Sequence, residues 1–199
     1  DEGDTAMAIA DCLGVVLQAV PESSLSRPGQ LLWIIERALD DDYDLLGGAE
    51  DVLKRRAYTK AHWREVVDVL TGRLDPGSGT QGAGFSASYH RNRLLSCLLD
   101  ACARAGWKDR MVPLLEAEAD ACRCHARLVD ELLAAGEEER ARAWCIRGYA
   151  STIADAPGIA HELQNRLRDM AQRHRRHDLV AAYVAQDFRE RPSLQGYTD

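Results

Sequence analysis

The sequence predicts an all-α protein, an α-α superhelix (solenoid) of antiparallel helix pairs. Three observations lead there. Apolar residues recur at helical spacing almost throughout, alternation at period two is never sustained, and the helical stretches of the second half come in short pairs with matching turns. At 199 residues, 46% hydrophobic and 29% charged, the chain can bury a substantial core. That composition excludes a disordered tail, a collagen-like fibre or a mini-protein in need of staples.

The elements follow in order. Leu13, Val16, Leu17 and Val20 make a first helical stripe, and Leu31, Ile34, Ile35, Ala38 and Leu39 a second, with Pro21 and Pro28 as stop and start between them. A third helix is expected near Ala49, after Gly47-Gly48. A fourth, with Thr59 as N-cap, carries Trp63, Val66, Val67, Leu70 and Leu74. Asp75 to Gly84 then holds four Gly and one Pro in ten residues, too little side chain to pack a helix face. Beyond it, Leu94, Leu95, Leu98, Leu99 and Cys102 lead to a stop at Gly106, and Met111 to Leu115 restart. Leu128, Val129, Leu132 and Leu133 lead to a stop at Gly136, followed by Ala141, Trp144 and Cys145. A last pair runs from Ile159 to Met170, breaks at Arg175 and Arg176, and resumes at Leu179.

Residues 99–110 and 129–140 match at the turn glycine, the Ala before it, and an acid and an Arg three and four positions later, and their turns lie thirty residues apart. One hairpin of that size cannot bury its own stripe, so it must stack on neighbours. The expected organisation is N-terminal hairpins over 1–75, a Gly-rich connection over 76–84, and a helical-repeat array over 85–199.

Leu-Leu-Ala-Ala-Gly-Glu-Glu-Glu-Arg-Ala-Arg-Ala-Trp (132–144) resembles the inter-helix turn of tetratricopeptide-type repeats, without the Trp, Leu-Gly and Tyr of that repeat's first helix. Tyr43 to Leu53 and the ending Phe188 to Tyr197 are similar to the C-terminal helical-repeat region of bacterial SWIM zinc-finger proteins. This resemblance implies a tetratricopeptide-like solenoid acting as a non-catalytic protein-interaction scaffold. The family's zinc motif, Cys-x-Cys followed by Cys-x-His, is not present in full. Zinc, and any nucleic-acid contact made through it, is expected in a part upstream of this chain, which opens at Asp1 and reads as a piece of a longer protein. An accessory role in a nucleic-acid-associated zinc protein is the alternative, and a metal- or nucleotide-using enzyme a further one.

Net charge is −7, and residues 1–75 hold fifteen acidic against eight basic side chains, so the imbalance is confined to the N-terminal part. A nucleic-acid footprint needs a basic face, which argues against that activity as the main one. Three of the 25 basic residues are lysines, a bias read as genomic composition. Six cysteines are too few for a disulfide scaffold of this length and point to a reducing compartment, the cytoplasm. No apolar run approaches about eighteen residues, so no segment is expected to span a bilayer and no membrane partner is expected.

Several motifs carry chemistry by letter. Gly77-Ser-Gly79-Thr-Gln-Gly82 has dinucleotide spacing, but a helix leads into it where a strand is needed, so a linker is the favoured reading and no cofactor is expected in this chain. Cys122, Cys124 and His125 supply three zinc-type ligands where a structural site wants four, and an inter-helix turn with a buried thiol is preferred. Asp40, Asp42, Asp44 and Asp51 imitate a calcium loop with Leu45 where Gly is required. Ser86, Ser88 and His90 lack an elbow and an orienting acid, so no catalytic residue is assigned. Candidates for partner contact are Trp33 and Trp107, less well placed on the apolar stripes, and the basic run Arg173, Arg175 and Arg176, which also suits a helix C-terminus. The expected partner is a protein or peptide.

Overall fold

The computed structural model describes residues 2–43, 45–74 and 85–190. Among these, ten α-helices form and no strand does: α1 (Glu2–Ala19), α2 (Arg27–Asp40), α3 (Ala49–Leu53), α4 (Lys60–Leu74), α5 (Phe85–Ala105), α6 (Met111–Cys122), α7 (His125–Ala134), α8 (Glu138–Thr152), α9 (Pro157–Arg173) and α10 (His177–Glu190). The chain is therefore all-α, and it divides into two compact units, Asp1–Arg110 and Met111–Asp199. That division falls elsewhere than the Gly-rich stretch 76–84, whose flanking helices α4 and α5 pack on each other within the first unit. Residues 75–84, with the Gly77–Gly82 motif, lie outside the described residues.

In the first unit α2 packs on α3, α4 and α5. Its stripe Leu31, Ile34 and Ile35 is buried, as are Trp63, Val66, Val67, Leu70 and Leu74 of α4. Ser26 caps α2, its Oγ accepting the Gly29 N–H at 3.2 Å. The cap of α4 is reversed from expectation: Thr59 precedes the helix, but its N–H donates to Nδ1 of His62 at 3.2 Å. A buried polar clamp fixes the approach to α2. Gln30, 1% exposed, accepts from Tyr58 Oη and Arg27 Nη1, both at 3.1 Å, and donates to Leu25 O at 3.1 Å.

The acidic stretch with calcium-loop spacing is the C-terminus of α2. Arg93 of α5 donates to the carbonyls of Ala38 and Asp41 and pairs with Asp42 at 3.2 Å, while Asp40 pairs with Arg37 at 3.2 Å. A cation meets carbonyls that the helix leaves unpaired and the negative end of its dipole. Asp41 accepts the Leu46 N–H at 2.7 Å and the Tyr43 N–H at 3.3 Å. Asp44 lies outside the described residues.

The first helix corrects one reading. Counting uninterrupted apolar runs finds no bilayer-length segment because Asp11 breaks the run. Yet Asp4–Glu22, mean hydropathy 1.3, is long and apolar enough to cross a membrane by length and composition, and only 17% of it is buried.

In the second unit each helix packs on the next in sequence, and α6 also touches α8, and α7 touches α9. Leu115, Leu128, Val129, Leu132, Cys145 and Leu163 are fully buried there. One turn recurs along the chain. Gly106, Arg123, Gly136 and Arg175 have φ of 77°, 52°, 78° and 56°, and the N–H of the following residue returns to the carbonyl five positions before it. The bonds are Trp107 to Cys102 at 2.9 Å, Cys124 to Ala119 at 3.2 Å, Glu137 to Leu132 at 2.8 Å and Arg176 to Ala171 at 2.9 Å. This left-handed helix termination satisfies the last carbonyls and suits glycine, which has no Cβ to clash. Two of the four are made by arginine.

Candidate functional site

The turn between α6 and α7 carries the three residues with zinc-type chemistry. Cys122 ends α6, Arg123 makes the left-handed turn, Cys124 is the N-cap position of α7, and His125 opens that helix. Their side chains take separate partners. Cys122 Sγ donates to Glu118 Oε2 at 3.7 Å, Cys124 Sγ to the Leu115 carbonyl at 3.8 Å, and His125 Nε2 stands 3.0 Å from Asp120 Oδ1. Among the described residues no group of three or more His, Cys, Asp or Glu is placed to hold a metal ion. Burial pushes the Cys124 thiol up to about 11.

A polar cleft of about 310 Å³ opens beside this turn, between the end of α6 and the second half of α8, lined by Asp120, Arg123, His125, Arg147, Ser151, Thr152 and Asp155. Two ion pairs edge it: Arg147 to Asp120 at 2.5 Å and Arg123 to Asp155 at 2.5 Å. The Arg147 hydrogen bond outweighs the opposing desolvation and, with the weaker His125 hydrogen bond, holds the Asp120 carboxyl below the usual carboxylate range. His125 forms the inner wall. Its ring is 1% exposed and its Nδ1 is buried with no hydrogen-bond partner among the described residues. The ring fits because position 148 is glycine: a Cβ there would lie 2.8 Å from His125 Cδ2 and Cγ and 2.7 Å from Leu163 Cδ1.

A row of side chains on α6 and α8 continues from the cleft. Arg147 lies 4.6 Å over the Trp144 ring. Trp144 Nε1 donates to Glu116 Oε1 at 3.0 Å, and Arg140 Nη2 reaches the same carboxylate at 2.6 Å. Charge is balanced along the row, so it offers no general anion site.

The other candidates are placed as follows. Trp33 is half-buried on α2. Trp107 is half-buried too, and its ring is covered by Arg110 at 3.7 Å and approached by Arg64 at 5.4 Å, so one face already has a cation on it. Arg173 ends α9, where a cation meets the negative dipole end. Arg175 is the left-handed turn residue itself. Arg176 is held by Asp178 at 3.1 Å and 3.0 Å. Ser88 and His90 are exposed in the first turns of α5, and the side chain of Ser86 is outside the described part. The Asp120, Arg147 and Trp144 constellation escaped the sequence reading. Its one signal was the i, i+4 spacing of Glu116 with Asp120 and the near-matching spacing of Arg140, Trp144 and Arg147.

The architecture thus defines an all-α protein with a polar cleft on its second unit. Compared with known proteins, the chain matches no family model, no curated protein and no solved structure.

Proposed function

We propose that this chain is a non-catalytic protein-interaction scaffold, a tetratricopeptide-like array of helix pairs that holds a peptide segment. It is the helical-repeat region of a SWIM-type zinc-finger protein, on the resemblance of residues 43–53 and 188–197. One observation carries the reading: in the second unit α6 touches α8 and α7 touches α9 in addition to each helix packing on its successor. Helix pairs stacked in two layers have that neighbour pattern, and alternate helices then share a face. Trp144, Arg140 and Arg147 of α8 meet Glu116 and Asp120 of α6, one such pair of alternate helices, which makes this row the place for a bound peptide. Six free thiols, three of them buried, suit a reducing compartment such as the cytoplasm.

Selection of displayed random peptides on the full chain tests this. The expected result is an enriched peptide class whose affinity falls at least about tenfold in Arg147→Ala and in Trp144→Ala, as for anchors at an interface centre. Absence of enrichment, or peptides indifferent to both substitutions, overturns it. Salt-sensitive binding of DNA or RNA to the same chain would favour the nucleic-acid role instead.

A further inference from the structure

α1 carries exposed apolar side chains on two sides, Met7 and Val15 on one and Ile9 and Val16 on the other. Met7, Ile9, Val15 and Val16 are 69%, 45%, 72% and 47% exposed, while Leu17 and Val20 anchor the C-terminal end of the segment in the first unit. A groove of about 570 Å³ runs along the helix, lined by Ala10, Asp11, Gly14, Val15 and Gln18, with Leu45 and Gly47 opposite. A Cβ at Gly14 or at Gly47 would meet nothing within 4 Å, so the groove is open at both.

A polar line runs between Met7 and Val15 on α1. Asp4, Asp11 and Gln18 are spaced by seven and share a side of the helix. No basic residue lies between Asp4 and Glu22, and Asp4, Asp11 and Glu22 enter no ion pair among the described residues. Gln18 accepts from Arg55, so the acidic end of the edge is its Asp4–Asp11 half.

We propose that this groove docks a basic amphipathic helix, with apolar anchors laid along Met7, Val15 and the groove floor, and Lys or Arg seven residues apart against Asp4 and Asp11. Charge complementarity selects that occupant. A second copy in antiparallel pairing would set Asp11 against Asp11, and like charges facing across an interface oppose association. An anionic lipid surface is recruited by Lys and Arg, which this segment lacks. The proposal concerns the first unit and is independent of the peptide site on α6 and α8.

The probe is a labelled helical peptide of about 18 residues, long enough to cover the helix, with Leu along one stripe and Lys at seven-residue spacing beside it. A counterpart carries Glu for every Lys. Anisotropy on the full chain is expected to show saturable binding of the Lys peptide only, weakening severalfold from low to physiological salt. Val15→Asp should weaken it at least about tenfold. Asp4→Lys with Asp11→Lys should reverse the preference toward the Glu peptide. All three positions are exposed, and circular dichroism of the variants checks that the helix persists. The proposal is overturned by failure of the Lys peptide to bind, by equal binding of both peptides, by a dimer that Val15→Asp dissolves, or by flotation of the chain with lipid vesicles.

Discussion

Replacing Gly148 by alanine sets two effects against each other within one methyl group. Inside a helix, alanine is favoured over glycine by about 0.5–1 kcal/mol, so propensity alone predicts that Gly148→Ala stabilises. The new Cβ would stand 2.7 Å from Leu163 Cδ1 and 2.8 Å from His125 Cδ2 and Cγ, roughly 1 Å inside the 3.5–4.0 Å of a comfortable carbon contact. Neither neighbour can retreat easily, since Leu163 is fully buried and the His125 ring is tied to Asp120. Overpacking of this kind costs about 1–3 kcal/mol, so the net expectation is a destabilisation of roughly 1–2 kcal/mol. Hydrogen exchange resolved to the amides of α7, α8 and α9 reads the effect locally, without mixing in the unfolding of the first unit. A companion variant, Leu163→Ala, removes half of the obstruction and alone costs about 2–5 kcal/mol. The double variant should be at least about 1 kcal/mol more stable than the sum of the two. Greater protection of α7 to α9 in Gly148→Ala would refute the close-packing argument, and strict additivity would place the strain elsewhere.

Other outcomes follow from the same structure. Gly14→Ala, where a Cβ meets nothing, should raise the stability of the first unit by about 0.5–1 kcal/mol, read by urea unfolding; a loss would mean that the α1 backbone is not helical there. Arg175 holds φ 56°, so Arg175→Gly should stabilise the turn into α10 by about 0.5–1 kcal/mol, and destabilisation would show that its side chain carries a contact that matters. Burial pushes the Cys145 thiol up to about 12 and Cys124 up to about 11. At pH 8 their thiolate fractions are then roughly one in ten thousand and one in a thousand, and a disulfide reagent should find one fast thiol, the exposed Cys12; a fast equivalent surviving Cys12→Ser would contradict this. Asp120 has a folded pKa below its ordinary 3.8, so its contribution is complete above the unfolded value and lost as pH falls through the folded one. The stability gap between the natural chain and Asp120→Asn should therefore close on acidification, and a gap that widens toward low pH would reverse the assignment.

Most of the helices could be read from spacing because burial follows the apolar stripe. Leu31, Ile34 and Ile35, or Trp63, Val66, Val67 and Leu70, are predicted and found inside. Helix ends were readable where glycine marks them, at Gly106 and Gly136. At Arg123 and Arg175 the breaks were read too, as an inter-helix turn and a basic run, but not their left-handed backbone, since arginine gives no compositional sign of it. The cleft was hidden for another reason. His125 is buried because Gly148, a residue from the next helix, leaves room for its ring, and no local pattern links the two. Trp107 reads as a candidate anchor until folding brings Arg64 from α4 toward the ring that Arg110 covers.

The arginine bias has weight that composition alone did not reveal. Arg166 grips Asp130 with two nitrogens, at 2.8 Å and 2.7 Å, tying α9 to α7; Arg93 reaches a carboxylate and two backbone carbonyls at once. A lysine in either place would keep the charge and lose the fork, because an ammonium is a compact point donor. Helices in this chain are laced by a shape of cation. An all-lysine version of equal net charge would be a looser molecule, with its ends fraying where guanidinium groups now bind.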